Sequence, residues 1–136
     1  MARRRVYNES RLRKKLRRFP EVLRSDLRMV MTMNGVLLAQ EIEKRAPKES
    51  GIMAGKVRSV VSRDGLSVRI GYSREPRFKQ AWKKGGFVAL FQEYGTRYHA
   101  AQPFIGPAFR AKLMDALRRI DSAVNRTLKR ASSGAF

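Results

Sequence analysis

Val60-Val61-Ser62-Arg63-Asp64-Gly65-Leu66-Ser67-Val68-Arg69-Ile70-Gly71-Tyr72 is the stretch that decides the fold. Leu66, Val68, Ile70 and Tyr72 alternate with Ser67, Arg69 and Gly71, continuing to Ser73. That period of two predicts a strand with one buried and one polar face. Lys56 to Ser62 reads as its partner strand, and Asp64-Gly65 between them is a strong short-range hairpin signal. The hairpin sits between two long helical patterns, so the chain is neither all helix nor all sheet.

Upstream, Pro20 predicts the opening of the main helix. Proline suits the first helical position, and Glu21 favours the positive end of the dipole. Leu23, Leu27, Val30, Leu37 or Leu38, and Ile42 recur at helical spacing. Lys44 and Arg45 suit the last turn, and Pro47 stops the helix. The result is about 26 residues, roughly 40 Å long. Before it, residues 9–18 predict a short basic helix whose apolar side chains are Leu12 and Leu16, marginal on its own.

Downstream, residues 74–86 read as a long loop carrying Phe78 and Trp82 among Arg77, Lys79, Lys83 and Lys84. Those aromatics either stack on nucleobases or anchor the loop on this domain or a neighbouring subunit. The second reading is favoured, because a long ordered loop needs anchors. Phe87 to Tyr94 reads as a third strand. Gly106-Pro107 predicts the start of a last helix, with a stripe of Phe109, Leu113, Ala116 or Leu117, Ile120, Val124 and Leu128. The class expected is α+β: an antiparallel three- to four-stranded sheet packed against two long helices, with a basic N-terminal helical arm. The expected organisation is an arm over 1–19, one domain over 20–130 and a flexible tail over 131–136.

Charge narrows the partners. The chain has 136 residues, with 31 Lys and Arg against 11 Asp and Glu, a formal net charge of +20. Arg outnumbers Lys by 21 to 10, a bias that suits bidentate phosphate contacts. Residues 1–28 alone hold 11 cations and 3 acids. Such a chain repels copies of itself and calls for a polyanion, counterions or an assembly that uses the field. Candidate contacts to DNA phosphates are Arg3, Arg4, Arg5, Arg11, Arg13, Lys14, Lys15, Arg17 and Arg18. The alternative for this segment is a solvated basic helix.

The sequence offers no catalytic constellation. It has no cysteine and one histidine, His99, so neither thiolate metal sites nor a histidine relay is expected. Glycine-rich phosphate loops, zinc spacings and nucleophile elbows are absent. Glu41 and Glu43, two apart on a helix, point to different faces, whereas two-metal chemistry needs clustered carboxylates. Glu93 is expected to pair with an arginine. These features point to a protein that is not an enzyme, with no cofactor and no metal. Met29 to Gln40 is an uncharged stretch of 12 residues, short of the ~20 that span a membrane. The basic start is not followed by the apolar run of a secretory signal.

Three motifs remain. Pro47-Lys48-Glu49-Ser50-Gly51-Ile52-Met53 follows the long helix; Phe91-Gln92-Glu93-Tyr94-Gly95-Thr96 ends the third strand; Pro103-Phe104-Ile105-Gly106-Pro107-Ala108 enters the last helix. In this order and spacing they resemble the tailed-phage head–tail connector or neck (tail-completion) family, to which phage lambda minor tail protein Z is related. The resemblance covers about residues 20–130. It implies a small α+β subunit of a ring, usually six copies, at the virion neck, in a protein made in the host bacterial cytoplasm. The implied partners are further copies of the chain, a head-closure (stopper) ring, a tail terminator or tail tube protein, and double-stranded DNA in the channel, with no membrane. The family contributes no catalytic residues. Pro47, Ser50, Gly51, Glu93, Tyr94, Gly95, Thr96, Pro103 and Pro107 are then scaffold or subunit interface, and Phe78 and Trp82 candidates for a loop interface. The competing readings are a free basic DNA- or RNA-binding protein and a tail terminator ring subunit.

Overall fold

The computed structural model describes residues 9–48, 55–72 and 87–134, with side chains from 19 onward in the first stretch and from 88 in the third. In chain order the elements are α1 (Glu9–Arg45), β1 (Arg58–Val61), β2 (Val68–Gly71), α2 (Phe87–Tyr94) and α3 (Ile105–Ser132). The class is α+β, with three helices and one antiparallel two-stranded sheet among the described residues.

α1 is one helix of 37 residues with Pro20 inside it, not an arm followed by a helix that starts at Pro20. The fixed φ of proline is itself helical. The ring removes one ladder bond and crowds the preceding turn, which weakens or bends a helix without having to end it. The boundary expected at 19/20 is therefore continuous helix. At the other end Ala46 N–H still bonds Ile42 O at 2.8 Å, and Pro47 stops the helix as expected.

The hairpin pairs Arg58 with Gly71, Ser59 with Ile70, Val60 with Arg69 and Val61 with Val68. The strands are shorter than expected because the turn takes residues 62–67. There Asp64 Oδ1 accepts from Leu66 N–H at 3.0 Å and from the Ser62 hydroxyl, and Ser67 N–H bonds Ser62 Oγ at 3.1 Å. Gly65 takes the φ of +75° that the turn requires. The hairpin lies directly on α1. A methyl group at Gly35 would overlap Ser59 Oγ and stand 2.9 Å from Val68 Cγ2.

Phe87–Tyr94 is a helix, α2, and not the expected third strand. Its aromatic and aliphatic content suits a strand, but the short apolar run Phe87–Phe91 does not separate buried strand from helix by period. The spacing of the inward residues decides it. Ala89 is 2% exposed and Glu93 half-buried, four residues apart on one helical face. Gly95 at φ +75° then closes α2, its N–H bonded to Phe91 O at 2.8 Å, the left-handed glycine cap of a helix end.

α1 and α3 pack antiparallel. Asp26 meets Thr127, Asn34 meets Ala116 and Arg119, and Glu41 meets Lys112. The core lies toward one end of this pair, where Ile42, Ala46, Val57, Ala89, Phe104 and Ala108 cluster with Leu38, Ile70 and Tyr72 around them. α3 starts at Ile105 and runs to Ser132, into the expected tail. Ser132 and Ser133 hydroxyls bond the carbonyls of Lys129 and Arg130 at 2.8 and 3.1 Å.

Candidate functional site

The motif residues between α2 and α3 form one joint. Glu93 Oε2 accepts from Phe104 N–H at 2.8 Å and Ile105 N–H at 2.9 Å, and Oε1 accepts from Gly106 N–H at 2.9 Å. A helix start leaves its first N–H groups without intrahelical partners. Here Glu93 takes those of the cap residue and the first two helical residues. Pro107, at the third, has none to offer, and Ala108 N–H begins the ladder on Phe104 O at 3.1 Å. Every donor at the head of α3 is thereby accounted for. Burial works to raise the Glu93 carboxyl, but the three N–H groups and the charge of Arg110 outweigh it and hold it below the usual carboxylate range. Glu93 is thus a helix cap as well as an anion facing the charge of Arg110, because a helix N-terminus supplies positive potential as well as donors.

The link itself is equally determined. A Cβ at Gly95 would stand 2.8 Å from Ala101 N and 3.0 Å from His99 O. Thr96 Oγ1 accepts from Tyr98 N–H at 3.2 Å and His99 N–H at 3.1 Å, and Thr96 N–H bonds His99 O at 2.9 Å. Gln102 N–H bonds Gln92 O at 2.7 Å. Glu93, Gly95, Thr96 and Pro107 thus all take part in the joint between α2 and α3. Pro47 sits half-buried after α1, while Pro103 is exposed. Tyr94 and Tyr98 are turned outward, at 77% and 84% exposure. Ser50, Gly51, Phe78 and Trp82 lie outside the described residues.

The acids share a second property. Of the eight with described side chains, seven have an internal task. Glu43 accepts from Gly55 and Val57 N–H at 3.0 Å each, Asp64 holds the hairpin turn and Glu93 caps α3. Asp26 takes the Thr127 hydroxyl at 2.6 Å and faces Arg130 at 3.5 Å. Glu41 pairs with Arg45 at 2.7 Å and Lys112 at 3.8 Å, Asp115 with Arg118 and Asp121 with Asn125. The hydrogen bond from Arg45 lowers the Glu41 carboxyl despite partial burial. Among the described residues most of the negative charge is thus engaged within the chain, and the cations are in surplus. Spacing alone did not reveal this. Asp26 and Thr127 are 101 residues apart, and only the antiparallel register of α1 and α3 joins them.

That register also positions the basic segment. With Asp26 beside Thr127 and α3 ending at Ser132, the end of α3 falls beside about residue 21 of α1. Glu9–Pro20 therefore runs past α3, an overhang of ~18 Å at 1.5 Å per residue. Arg11, Arg13, Lys14, Lys15, Arg17 and Arg18 all belong to this overhang. Arg3, Arg4 and Arg5 lie outside the described residues. Among the described residues there is no cluster of three potential metal-binding side chains, and no helix is long and apolar enough to cross a membrane.

Comparison with known proteins finds no matching family model, no matching curated protein and no matching solved structure.

Proposed function

We propose that this chain is a structural, non-catalytic ring subunit at the neck of a tailed phage, joining the DNA-filled head to the tail and letting DNA pass. The observation that carries the reading is the cationic overhang of α1, which extends beyond α3 while the acids of the body are engaged internally. Duplex DNA presents one phosphate charge per ~1.7 Å. A helical arm bearing Arg11, Arg13, Lys14, Lys15, Arg17 and Arg18, with Arg3, Arg4 and Arg5 ahead of it, matches that array. The three motifs support the same reading, since two of them build the α2–α3 joint.

In this reading six copies close a ring between a head-closure ring and a tail terminator or tail tube protein, in a protein made in the host bacterial cytoplasm. The fuller sheet of three to four strands belongs to the proposal. The test is deletion of residues 1–18 in the producing phage. Filled heads and complete tails that fail to join, together with loss of DNA binding by the purified protein, are expected. Normal joining, with the arm remote from the channel in a neck reconstruction, overturns the DNA role.

The same overhang supports a second reading, a free DNA- or RNA-binding protein. It predicts tight, salt-sensitive binding by a stable monomer with no phage partner.

A further inference from the structure

The outer edge of β1 has no strand partner among the described residues. Ser62 N–H points toward β2, where it bonds Ser67 O at 2.9 Å. Backbone groups alternate in direction from one residue to the next along an antiparallel strand. The N–H and C=O of Val60 therefore face Arg69 of β2, and those of Ser59 and Val61 face outward. An unpaired edge of this kind is a template for one more strand.

A groove of about 820 Å³ lies between the start of β1 and α1, and the edge residue Ser59 lines it. Val36, Ala39 and Val57 give it apolar walls, and Val36 is 47% exposed. Lys44, Lys48 and Arg58 give it positive charge. Among the described residues neither Lys44 nor Lys48 is in an ion pair. The carboxylate of Glu43, also in the groove, is engaged by Gly55 and Val57 N–H at 3.0 Å each. The Arg58 guanidinium donates to Gly55 O at 2.9 Å and Val57 O at 3.3 Å, which fixes a cation at the entrance to the strand.

We propose that this groove takes an acidic, extended segment of a partner protein, paired with the outer edge of β1. Main-chain bonds to Ser59 and Val61 set its register. Its alternate side chains divide between the apolar walls at Val36 and Ala39 and the charges of Lys44, Lys48 and Arg58. Charge selects the occupant. A second copy of this chain, at +20, is repelled by the cations of the groove. A nucleic acid finds phosphate partners there, but it matches neither the apolar walls nor an unpaired peptide edge. The site is also separate from the basic arm. Val36 lies 16 residues beyond Pro20 on α1, a distance of ~24 Å, or about three Debye lengths in physiological salt. The proposal does not rest on the neck-subunit reading.

The probe is an end-blocked octapeptide of alternating Val and Glu, titrated into the full chain in physiological salt. Calorimetry and NMR amide shifts should show saturable one-to-one binding, with Ser59 and Val61 among the most shifted amides. Lys44→Glu with Lys48→Glu should weaken binding about tenfold or more. Arg126→Glu with Lys129→Glu, near the far end of α3, makes the same change in net charge and should leave binding within about twofold. Methylating alternate backbone nitrogens of the peptide keeps its charge. A strand added to one edge should lose about tenfold with one of the two methylated series and little with the other. Equal losses with both pairs of substitutions, or indifference to both methylated series, mean attraction of opposite charges without strand pairing and overturn the proposal. So does a duplex oligonucleotide that shifts the Ser59 and Val61 amides more than the peptide does. Either failure leaves the neck reading standing, because that reading is tested through deletion of residues 1–18.

Discussion

Gly106 donates its backbone N–H to Glu93 Oε1 at 2.9 Å, so the last turn of α2 holds the first turn of α3 across 13 residues of sequence. The other carboxylate oxygen holds Phe104 and Ile105. A Cβ at Gly106 would stand 3.2 Å from that same Oε1, so the helix start is built around the carboxylate.

Replacing Glu93 by Ala leaves three N–H groups without their acceptor. Hydrogen bonds to a charged group contribute about 1.5–3 kcal/mol, and loss of a helix cap costs about 1. The expected loss is about 2–3 kcal/mol, read as a lower urea midpoint with unchanged slope. Glu93→Gln should lose less, keeping one acceptor oxygen but turning an amide donor toward donors. An unaltered midpoint in Glu93→Ala would refute the cap.

The same carboxylate gives a pH dependence. Its folded pKa lies below its ordinary value, near 4.3 in an unstructured chain. Its contribution is therefore fully present above that value and disappears as pH falls through the folded pKa. Stability measured from pH 6 down to pH 2 should drop, and Glu93→Gln should show a shallower drop than the parent. Parallel curves would show that Glu93 is not responsible.

Tyr72 acts at the alkaline end. Burial, aided by the charge of Glu43, pushes its hydroxyl up to about 12. The folded protein thus favours the neutral phenol, so the stability it contributes holds below pH ~10 and is lost as pH rises toward 12. Spectrophotometric titration should show one tyrosine ionising late, and Tyr72→Phe should remove that component.

Glycine substitutions separate conformational strain from overlap. Gly55 and Gly95 both have positive φ, at +65° and +75°, but a Cβ at Gly55 meets nothing within 4 Å while one at Gly95 meets Ala101 N at 2.8 Å. Gly55→Ala should cost about 1 kcal/mol. Gly95→Ala adds a clash with backbone and should cost at least about 2 kcal/mol more. Equal losses in denaturant melts would contradict this account of the joint.

Thr127 is fully buried and bonds both Asp26 and the Ala123 carbonyl. Thr127→Val keeps the shape and removes the donor, so about 1–2 kcal/mol should be lost, with Thr127→Ser largely restoring it. If Val is neutral by calorimetry, the α1–α3 register does not depend on this bond.

Local pattern determined much of this protein. The Asp64-Gly65 hairpin, the stop at Pro47, the amphipathic last helix and the surplus of cations follow from neighbours within a few residues, where period and turn chemistry act. What only the tertiary structure decided depends on partners far apart in sequence. Phe87–Tyr94 is a helix because Ala89 and Glu93 must share a face toward α3, a demand its strand-like composition conceals. Glu93 caps a helix that has yet to begin when its own ends, and Asp26 finds Thr127 only through the antiparallel register. The Phe109–Leu128 stripe reads as core by period alone. α3 meets α1 through the neighbouring face that carries Ala123 and Thr127, so Phe109, Leu117 and Leu128 stay exposed while Ile120 and Val124 are half-buried.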